Sequence, residues 1–435
     1  MTTVIILLAI MVFGLTTLLW SSVGAVRALT EVSPVPRSAA RRRKELQPGI
    51  DFPEQSSVAV LIAAHNEELV IAKTLHSVTA LRPAHQVFVA SDGSTDRTAQ
   101  IVREFGANVV ELTPNRGKAG ALAAAIEHFA LDTEFEVVML LDADTQLAPD
   151  YFTTGLPQFA DENVVAVAGR AKTLFEPAPS TLIGRILVSH RERLYQVMQV
   201  LVKYGQATKG INVVNIVPGF ASMYRARVLP QIDIAAKGLT IEDFNMTFEV
   251  HAKKLGRVAF HPSAAIAYTQ DPDNLRDYTK QVRRWTLGYW QTVRRHGAHF
   301  GKFWAVQALY ILELISCSLM FLLLLPMALV SAGAELARNY VADPDRVLLT
   351  LSGIVPPYLL VLGLVLPELV LTIFAACMTR RASYLWMAPF FPLVRIIDSY
   401  LCLSTLLRSL RKGSSGTWTS PARRPVAAAE PSPAR

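Results

Sequence analysis

Residues 58–96 read VAVLIAAHNEELVIAKTLHSVTALRPAHQVFVASDGSTD, and the alternation within them decides the fold. Val58–Ala64 is an unbroken apolar run, short and rich in branched side chains, as a strand buried on both faces must be. Residues 68–81 then place apolar side chains at helical spacing, and Val87–Ala90 begins a second buried run. The pattern continues outward, with strands expected over Asn108–Leu112 and Val137–Leu141 and helices over 95–105 and 118–131. Strands alternating with helices predict an α/β domain whose mostly parallel sheet is covered on both faces. Ligands bind such sheets beyond the carboxyl ends of the strands, so the polar residues there carry the chemistry.

The first strand runs into Ala64-His65-Asn66-Glu67-Glu68, without the glycines that a dinucleotide's pyrophosphate requires, which disfavours a nicotinamide enzyme. The second runs into Ser91-Asp92-Gly93-Ser94-Thr95-Asp96. Ser94 or Thr95 suits a helix N-cap, but capping leaves Asp92 unexplained. The fourth ends in Asp142-Ala143-Asp144, and carboxylates after an apolar strand are costly unless solvated, paired or holding a cation. Oxygen ligands of this kind suit Mg²⁺ or Mn²⁺ bridging to phosphates. Asn115-Arg116-Gly117-Lys118 sets a base at a helix start, where it either neutralises a phosphate or is solvated. Glu242-Asp243 precedes an amphipathic helix expected over 244–255, and either carries chemistry or compensates the helix N-terminus. In Gln281-Val282-Arg283-Arg284-Trp285, residues 281, 284 and 285 share a helical face. The same helix carries Tyr278, Val282, Trp285, Tyr289 and Val293 as a stripe flanked by Lys280, Arg283, Arg294 and Arg295; it lies on a membrane surface or packs into a core.

Hydrophobic residues make up 51% of the 435 and charged ones 18%, which disfavours both a disordered chain and a wholly soluble one. Cys317, Cys377 and Cys402 all lie in the apolar C-terminal third, so a secreted disulfide framework is out. Val4–Val26 carries no charge and reaches about 35 Å as a helix, enough for a bilayer core of about 30 Å. It lacks the basic start and short core of a signal peptide and reads as a retained anchor. Arg27, Arg37 and Arg41–Lys44 follow, placing the next domain in the cytoplasm and the N-terminus outside. Trp304–Val330 and Val347–Cys377 each contain a single charge, Glu313 and Glu368, and read as further spans. Trp386–Leu407 contains Arg395 and Asp398 on one face and either spans, re-enters or lies in the interface. Four full spans would put Arg408, Arg411, Lys412, Arg423 and Arg424 outside, against the positive-inside rule. The net charge of +8 gathers beside apolar segments, which suits lipid headgroups better than nucleic acid.

Taken in order, Asn66-Glu67, Asp92-Gly93-Ser94, Asn115-x-Gly117-Lys118, Asp142-x-Asp144, Glu242-Asp243 and Gln281-x-x-Arg284-Trp285 resemble the family-2 glycosyltransferases. Within them they resemble the membrane synthases of poly-N-acetylglucosamine, hyaluronan, chitin and cellulose, the first most closely. The resemblance covers about residues 58–295, and the last motif is its most specific element. It implies a GT-A-like nucleotide-sugar-binding domain flanked by transmembrane helices. Asp92 would contact uracil, with Glu67 and the backbone near Ala64 lining the nucleotide pocket and Lys118 nearby. Asp142 would meet the donor, and Asp144 would hold Mg²⁺ or Mn²⁺ against its diphosphate. Asp243 would be the general base beside Glu242. Gln281, Arg284 and Trp285 would bind the diphosphate and the acceptor end, and Gly219 lies in a small-residue loop beside the acceptor. Ile241 stands where the family often has threonine before Glu-Asp, and the threonine here is Thr240. Gly416-Thr417-Trp418 loosely resembles a cytoplasmic tryptophan motif.

The implied activity is inverting transfer of a sugar, N-acetylglucosamine by the nearest resemblance, from a UDP-sugar to a growing β-linked polysaccharide at the cell membrane. The implied partners are the donor, a polysaccharide or lipid-linked acceptor, membrane lipids and an accessory membrane subunit, with no nucleic acid. The alternative is a non-processive membrane enzyme adding one sugar to a lipid or short acceptor. The expected layout is an anchor over 1–30, a basic linker over 31–55, a cytoplasmic catalytic domain over 56–300 with an interfacial helix at about 274–297, a transmembrane region over 301–412 and a cytoplasmic tail over 413–435.

Overall fold

The computed structural model describes residues 2–31, 52–340 and 345–410. Most of the basic linker, including Arg41–Lys44, and the tail with Gly416–Trp418 lie outside the described residues. Chain contacts divide the protein into an α/β unit, drawn mainly from residues 31–181 and 214–273, and a helical unit formed by 1–30, 182–213 and 274–412. Residues 182–213, inside the stretch expected to be one catalytic domain, thus group with the helical unit.

The described residues of the α/β unit form ten strands. They are β1 Val58–Ala64, β2 Val87–Asp92, β3 Asn108–Leu112, β4 Val137–Asp142, β5 Gln146–Leu147, β6 Val164–Ala168, β7 Arg170–Thr173, β8 Ala221–Arg225, β9 Arg257–Ala259 and β10 Ile266–Thr269. Seven form one sheet in the order β3-β2-β1-β4-β8-β6-β9, and β5-β10-β7 form a small second sheet. β3, β2, β1 and β4 run parallel, whereas β8 is antiparallel to both β4 and β6. Every residue of β1 is buried, as its uninterrupted apolar sequence requires. Val60 and Ile62 of β1, Val89 of β2 and Met139 of β4 share one core with Ile71, Leu75 and Val78 of the helix Ile71–Thr79. Each such side chain contributes about 1.5–3 kcal/mol by leaving water. Because the four parallel strands start together, Ala64, Asp92 and Asp142 finish at the same edge of the sheet.

In the helical unit, Lys302–Arg338, Val361–Thr379 and Tyr384–Ser409 are long and apolar enough to cross a membrane. The expected N-terminal span is not straight: Ile5–Phe13 and Leu15–Thr30 meet at 66°. Gly14 sits at the bend with φ +85°, a conformation only glycine adopts without strain. The break is stabilised by a distant residue, since Glu313 accepts hydrogen bonds from Thr16 N at 2.7 Å and Thr16 Oγ1 at 2.8 Å. A Cβ on Gly14 would sit 2.5 Å from that carboxylate. The expected span over 347–377 is also interrupted, with helices Arg346–Gly353 and Pro357–Leu360 preceding Val361–Thr379.

Arg395 and Asp398, adjacent on one face, take separate partners. Arg395 pairs with Glu368 and donates to the Val12 carbonyl at 3.0 Å, while Tyr278 Oη donates to Asp398 at 2.9 Å. Glu368, 2% exposed, also receives Arg193 at 2.5 Å. Glu368→Ala would leave two guanidinium groups facing each other without their shared anion, at a cost on the order of 3–5 kcal/mol. The thermal unfolding midpoint of the detergent-solubilised protein should fall sharply relative to a surface Glu335→Ala control.

Candidate active site

The site of the α/β unit lies along the edge where β1, β2 and β4 end. Asp92, the last residue of β2, is fully buried. Arg116 N donates to its Oδ1 at 2.7 Å, and Asn115 Nδ2 donates to its carbonyl at 3.1 Å. Its Oδ2 is buried with no hydrogen-bond partner among the described residues. Burial raises the Asp92 pKa, and the Arg116 and Gly117 amides partly oppose that rise. Ala64 closes β1 next to Ser91. Glu67, also buried, is held through its backbone, whose N–H donates to Thr98 Oγ1 at 2.9 Å.

Neither Ser94 nor Thr95 caps the helix Thr98–Glu104. The N-cap position is Arg97, which makes no side-chain cap bond, and Asp96 just before it accepts from Thr98 N at 3.0 Å and Thr98 Oγ1 at 2.5 Å. Ser94 Oγ instead accepts from Asn66 N at 3.2 Å, and Thr95 N donates to Asn66 Oδ1 at 2.8 Å. Asn66 has φ 55°, so this pair of bonds holds a left-handed turn that local capping preference cannot foresee.

Lys118 opens the helix Gly117–His128. It is neither a solvated base nor an isolated positive charge. Its Nζ lies 2.7 Å from Asp142 Oδ1 and 2.7 Å from Glu242 Oε1, and it donates to the Gly219 carbonyl at 3.3 Å. Burial alone would lower its pKa, but the two carboxylates outweigh that and raise it. Lys118 therefore ties the end of β4 to the start of the helix Glu242–Ala252. Glu242 and Asp243 are the first two residues of that helix, whose expected start was 244.

Asp243 Oδ1 accepts from Phe244 N at 2.7 Å and Oδ2 from Gly219 N at 3.3 Å. Its pKa is raised to about 6, first by burial and then by the neighbouring Glu242 charge, against the pull of Lys118 and the two amides. Gly219 leaves the room: a Cβ there would stand 2.9 Å from Glu242 Oε1 and 3.2 Å from Lys118 Nζ. The loop that carries it is pinned by Val217 N donating to Thr247 Oγ1 at 2.9 Å and Ser222 Oγ donating to the Pro218 carbonyl at 2.6 Å.

Asp144 occupies the turn after β4, half-buried, with Thr145 Oγ1 3.5 Å from its Oδ1. Thr74 Oγ1 donates to the Ala143 carbonyl at 2.7 Å and fixes this turn. Asp142 and Asp144 are thus differently occupied, the first by Lys118. Among the described residues no three His, Cys, Asp or Glu side chains gather into a metal cage.

Gln281, Arg284 and Trp285 lie on the helix Leu275–His296 of the helical unit. Tyr278 and Val282 of its apolar stripe pack with Leu187, Phe391 and Leu401, so that stripe is core. Arg276, Arg283, Arg294 and Arg295 are exposed. Gln281 Oε1 accepts from Arg191 Nη2 at 3.2 Å, and the Arg191 guanidinium lies 4.5 Å from the Trp285 ring. Arg284 Nε is buried with no hydrogen-bond partner among the described residues. Arg191 escapes sequence reasoning, because charges inside a helix ordinarily mark a solvated face. The signal that could have found it is the run His190-Arg191-Glu192-Arg193 between apolar residues.

Residues 59–231 match the family described as Glycosyl transferase family 2. The resemblance drawn from the motifs therefore holds, and it extends to the polysaccharide synthases. The chain is 27% identical over 250 residues to the poly-beta-1,6-N-acetyl-D-glucosamine synthase of Staphylococcus aureus strain COL, covering 56% of this chain and 57% of the relative. The synthase of that name from Staphylococcus epidermidis is 26% identical over 253 residues, covering 54% and 57%. The chain thus spans little more than half the length of these relatives. Among solved structures, the mannosyltransferase PcManGT of Pyrobaculum calidifontis, in complex with GDP-Man and Mn²⁺, is similar with a TM-score of 0.53 at 20% identity. That likeness covers 90% of this chain and 98% of the other, and it establishes a shared GT-A-like glycosyltransferase fold.

Proposed function

We propose that the protein is a membrane glycosyltransferase that transfers N-acetylglucosamine from a UDP-sugar to a growing β-linked polysaccharide, with inversion at the sugar. The observation that carries this reading is Asp243, a half-buried carboxylate held by two backbone amides beside the Lys118–Asp142 pair at the end of β4. The family match and the name of the staphylococcal relatives support the reaction class and the sugar.

Asp92 Oδ2, buried and without a hydrogen-bond partner among the described residues, suits an N–H of a nucleobase, the donor a uracil ring offers. Ala64 and Glu67 border the same edge. Asp144 offers one half-buried carboxylate, and an oxygen donor beside a diphosphate fits Mg²⁺ or Mn²⁺ with substrate oxygens completing the shell. Such a cation, when bound, neutralises charge on the leaving diphosphate. Asp243 receives the proton of the acceptor hydroxyl as its oxygen bonds to C1. The C1–O bond to the diphosphate breaks and UDP departs, so one displacement turns an α-linked donor into a β-linked product. Within the α/β unit, Lys118 and Asp142 hold the donor side and Gly219 leaves space for the acceptor; within the helical unit, Arg284 and Gln281 favour anionic and hydroxyl groups respectively. Labelled UDP-sugars offered singly to membranes test the reading: incorporation from UDP-N-acetylglucosamine is expected, and incorporation of none removes it.

The helical unit supports a membrane location. Helix Phe391–Ser409 runs beside Leu275–His296, from Tyr278–Asp398 at one end through Trp290 Nε1 on the Cys402 carbonyl at 3.1 Å to Arg294 on the Ser409 carbonyl at 2.6 Å. A helix exposing arginines from 276 to 295 suits the headgroup layer rather than the bilayer centre. Its companion then lies at the same depth, leaving two full crossings, Lys302–Arg338 and Val361–Thr379, after the catalytic domain. Two crossings return the basic tail to the cytoplasmic side, as the positive-inside rule asks. Cysteines placed between residues 335 and 346 should react with an impermeant thiol reagent on intact cells, and a cysteine at 415 should be protected. Labelling at 415 would mean that Tyr384–Ser409 crosses.

A further inference from the structure

Helix Leu182–Gln196 carries His190, Arg191, Glu192 and Arg193 in succession, and all four are buried. Successive helical side chains point about 100° apart, so the four cannot share one face, and each buried charge must be met from a different direction. His190 lies 3.3 Å from Asp398, Glu192 accepts from the Tyr384 hydroxyl, and Arg193 pairs with Glu368. Arg191, 2% exposed, turns to the helix Leu275–His296. Its guanidinium centre is 4.8 Å from the Tyr278 ring and 4.5 Å from the Trp285 ring, and its Nη2 donates to Gln281 Oε1. Tyr278, Gln281 and Trp285 stand at i, i+3 and i+7, so one planar cation spans two turns of the face that bears the motif.

We propose that Arg191 is a positioning residue for Gln281 and Trp285 in the transfer reaction, an inference that rests on the glycosyltransferase reading. The flat guanidinium covers one region of the indole and holds the Gln281 amide oxygen, so both side chains are fixed before any ligand arrives. Gln281 is left with its amide N–H groups to offer. A lysine keeps the charge but supplies neither the plane nor the fork, so it cannot fix both partners at once. Tyr278 is held independently through Asp398, which anchors the other end of the stripe.

The test compares four full-length proteins in native membranes and in nanodiscs: wild type, Arg191→Lys, Trp285→Leu and the double variant. The difference in fluorescence between wild type and Trp285→Leu reports Trp285 itself, and its quenching by acrylamide reports how firmly it is held. Arg191→Lys is expected to lower kcat about tenfold while the KM for UDP-N-acetylglucosamine moves less than about twofold. Quenching of Trp285 should rise, and in the Trp285→Leu background Arg191→Lys should lower kcat by less than about twofold further. Independent, multiplying effects of the two substitutions would overturn the assignment, as would unchanged quenching. If wild type turns over no UDP-sugar, the functional reading fails, and the quenching comparison alone still decides whether Arg191 holds Trp285. Should Arg191→Lys not accumulate, Arg191→Gln enters the same comparison.

Discussion

Asp243→Asn should lower sugar transfer by a factor on the order of 10²–10⁴ while leaving donor binding within about twofold of wild type. The substitution keeps the side chain's size, and its carbonyl oxygen can still accept from Gly219 N or Phe244 N, so the start of the helix is preserved. What it removes is the capacity to take a proton, and loss of a general base costs on the order of 10²–10⁴ in rate. Donor binding by calorimetry and product formation by label incorporation, on the same membrane preparation, separate the two effects. Asp144→Ala is the contrasting variant, expected to weaken cation-dependent donor binding as well as turnover. The wild-type pH profile carries an independent signature. Burial and Glu242 raise the Asp243 pKa to about 6 in the free protein, and only its ionised form accepts a proton, so kcat/KM should be on a plateau above that pH and fall about tenfold per unit below it. In Asp243→Asn the residual rate should lose this acid limb. Near-normal turnover of the variant would remove Asp243 from the chemistry.

Trp285→Ala should shorten the product rather than stop donor consumption. An indole presents a flat apolar face on which a sugar ring can rest without its position in the chain mattering. Losing such a contact at about 1.4 kcal/mol speeds release of the chain end about tenfold, and the mean length falls in proportion. Hydrolysis of the donor to free UDP needs no retained chain and should persist. Sizing of labelled products from wild type and variant, at saturating donor and in native membranes, measures this. A wild type that yields only singly glycosylated acceptor would replace the polymerase reading with transfer of one sugar to a lipid or short acceptor.

Much of the α/β unit is written locally. Val58–Ala64 is a strand with the boundaries its apolar run predicts, because a strand buried on both faces admits no polar residue until it ends; Asn108–Leu112 also keeps its expected boundaries, as an edge strand that leaves Glu111 exposed. The same rule marks Asp92 and Asp142 as chemistry, since nothing in strand packing calls for a carboxylate there. Helix starts were displaced by a few residues: Ile71 rather than 68, Thr98 rather than 95, and Glu242 rather than 244. Several polar residues can begin a helix equally well, and the choice is made by distant partners such as Asn66, which engages Ser94 and Thr95.

The sequence by itself determined the strand–helix alternation, the acidic residues at the strand ends, the motif Gln281 to Trp285 and the apolar helices, because hydrophobic period and composition act within a turn or a strand. Tertiary structure alone decided who neutralises whom. Lys118 finds Asp142 and Glu242, Arg191 finds Gln281 and Trp285, Glu368 sits between Arg193 and Arg395, and Glu313 stabilises the bend at Gly14. Each pairing joins residues far apart in the chain, and a buried charge accepts whichever opposite charge or dipole the packing delivers to it. No local period encodes that delivery; it follows from how the strands and helices close against one another.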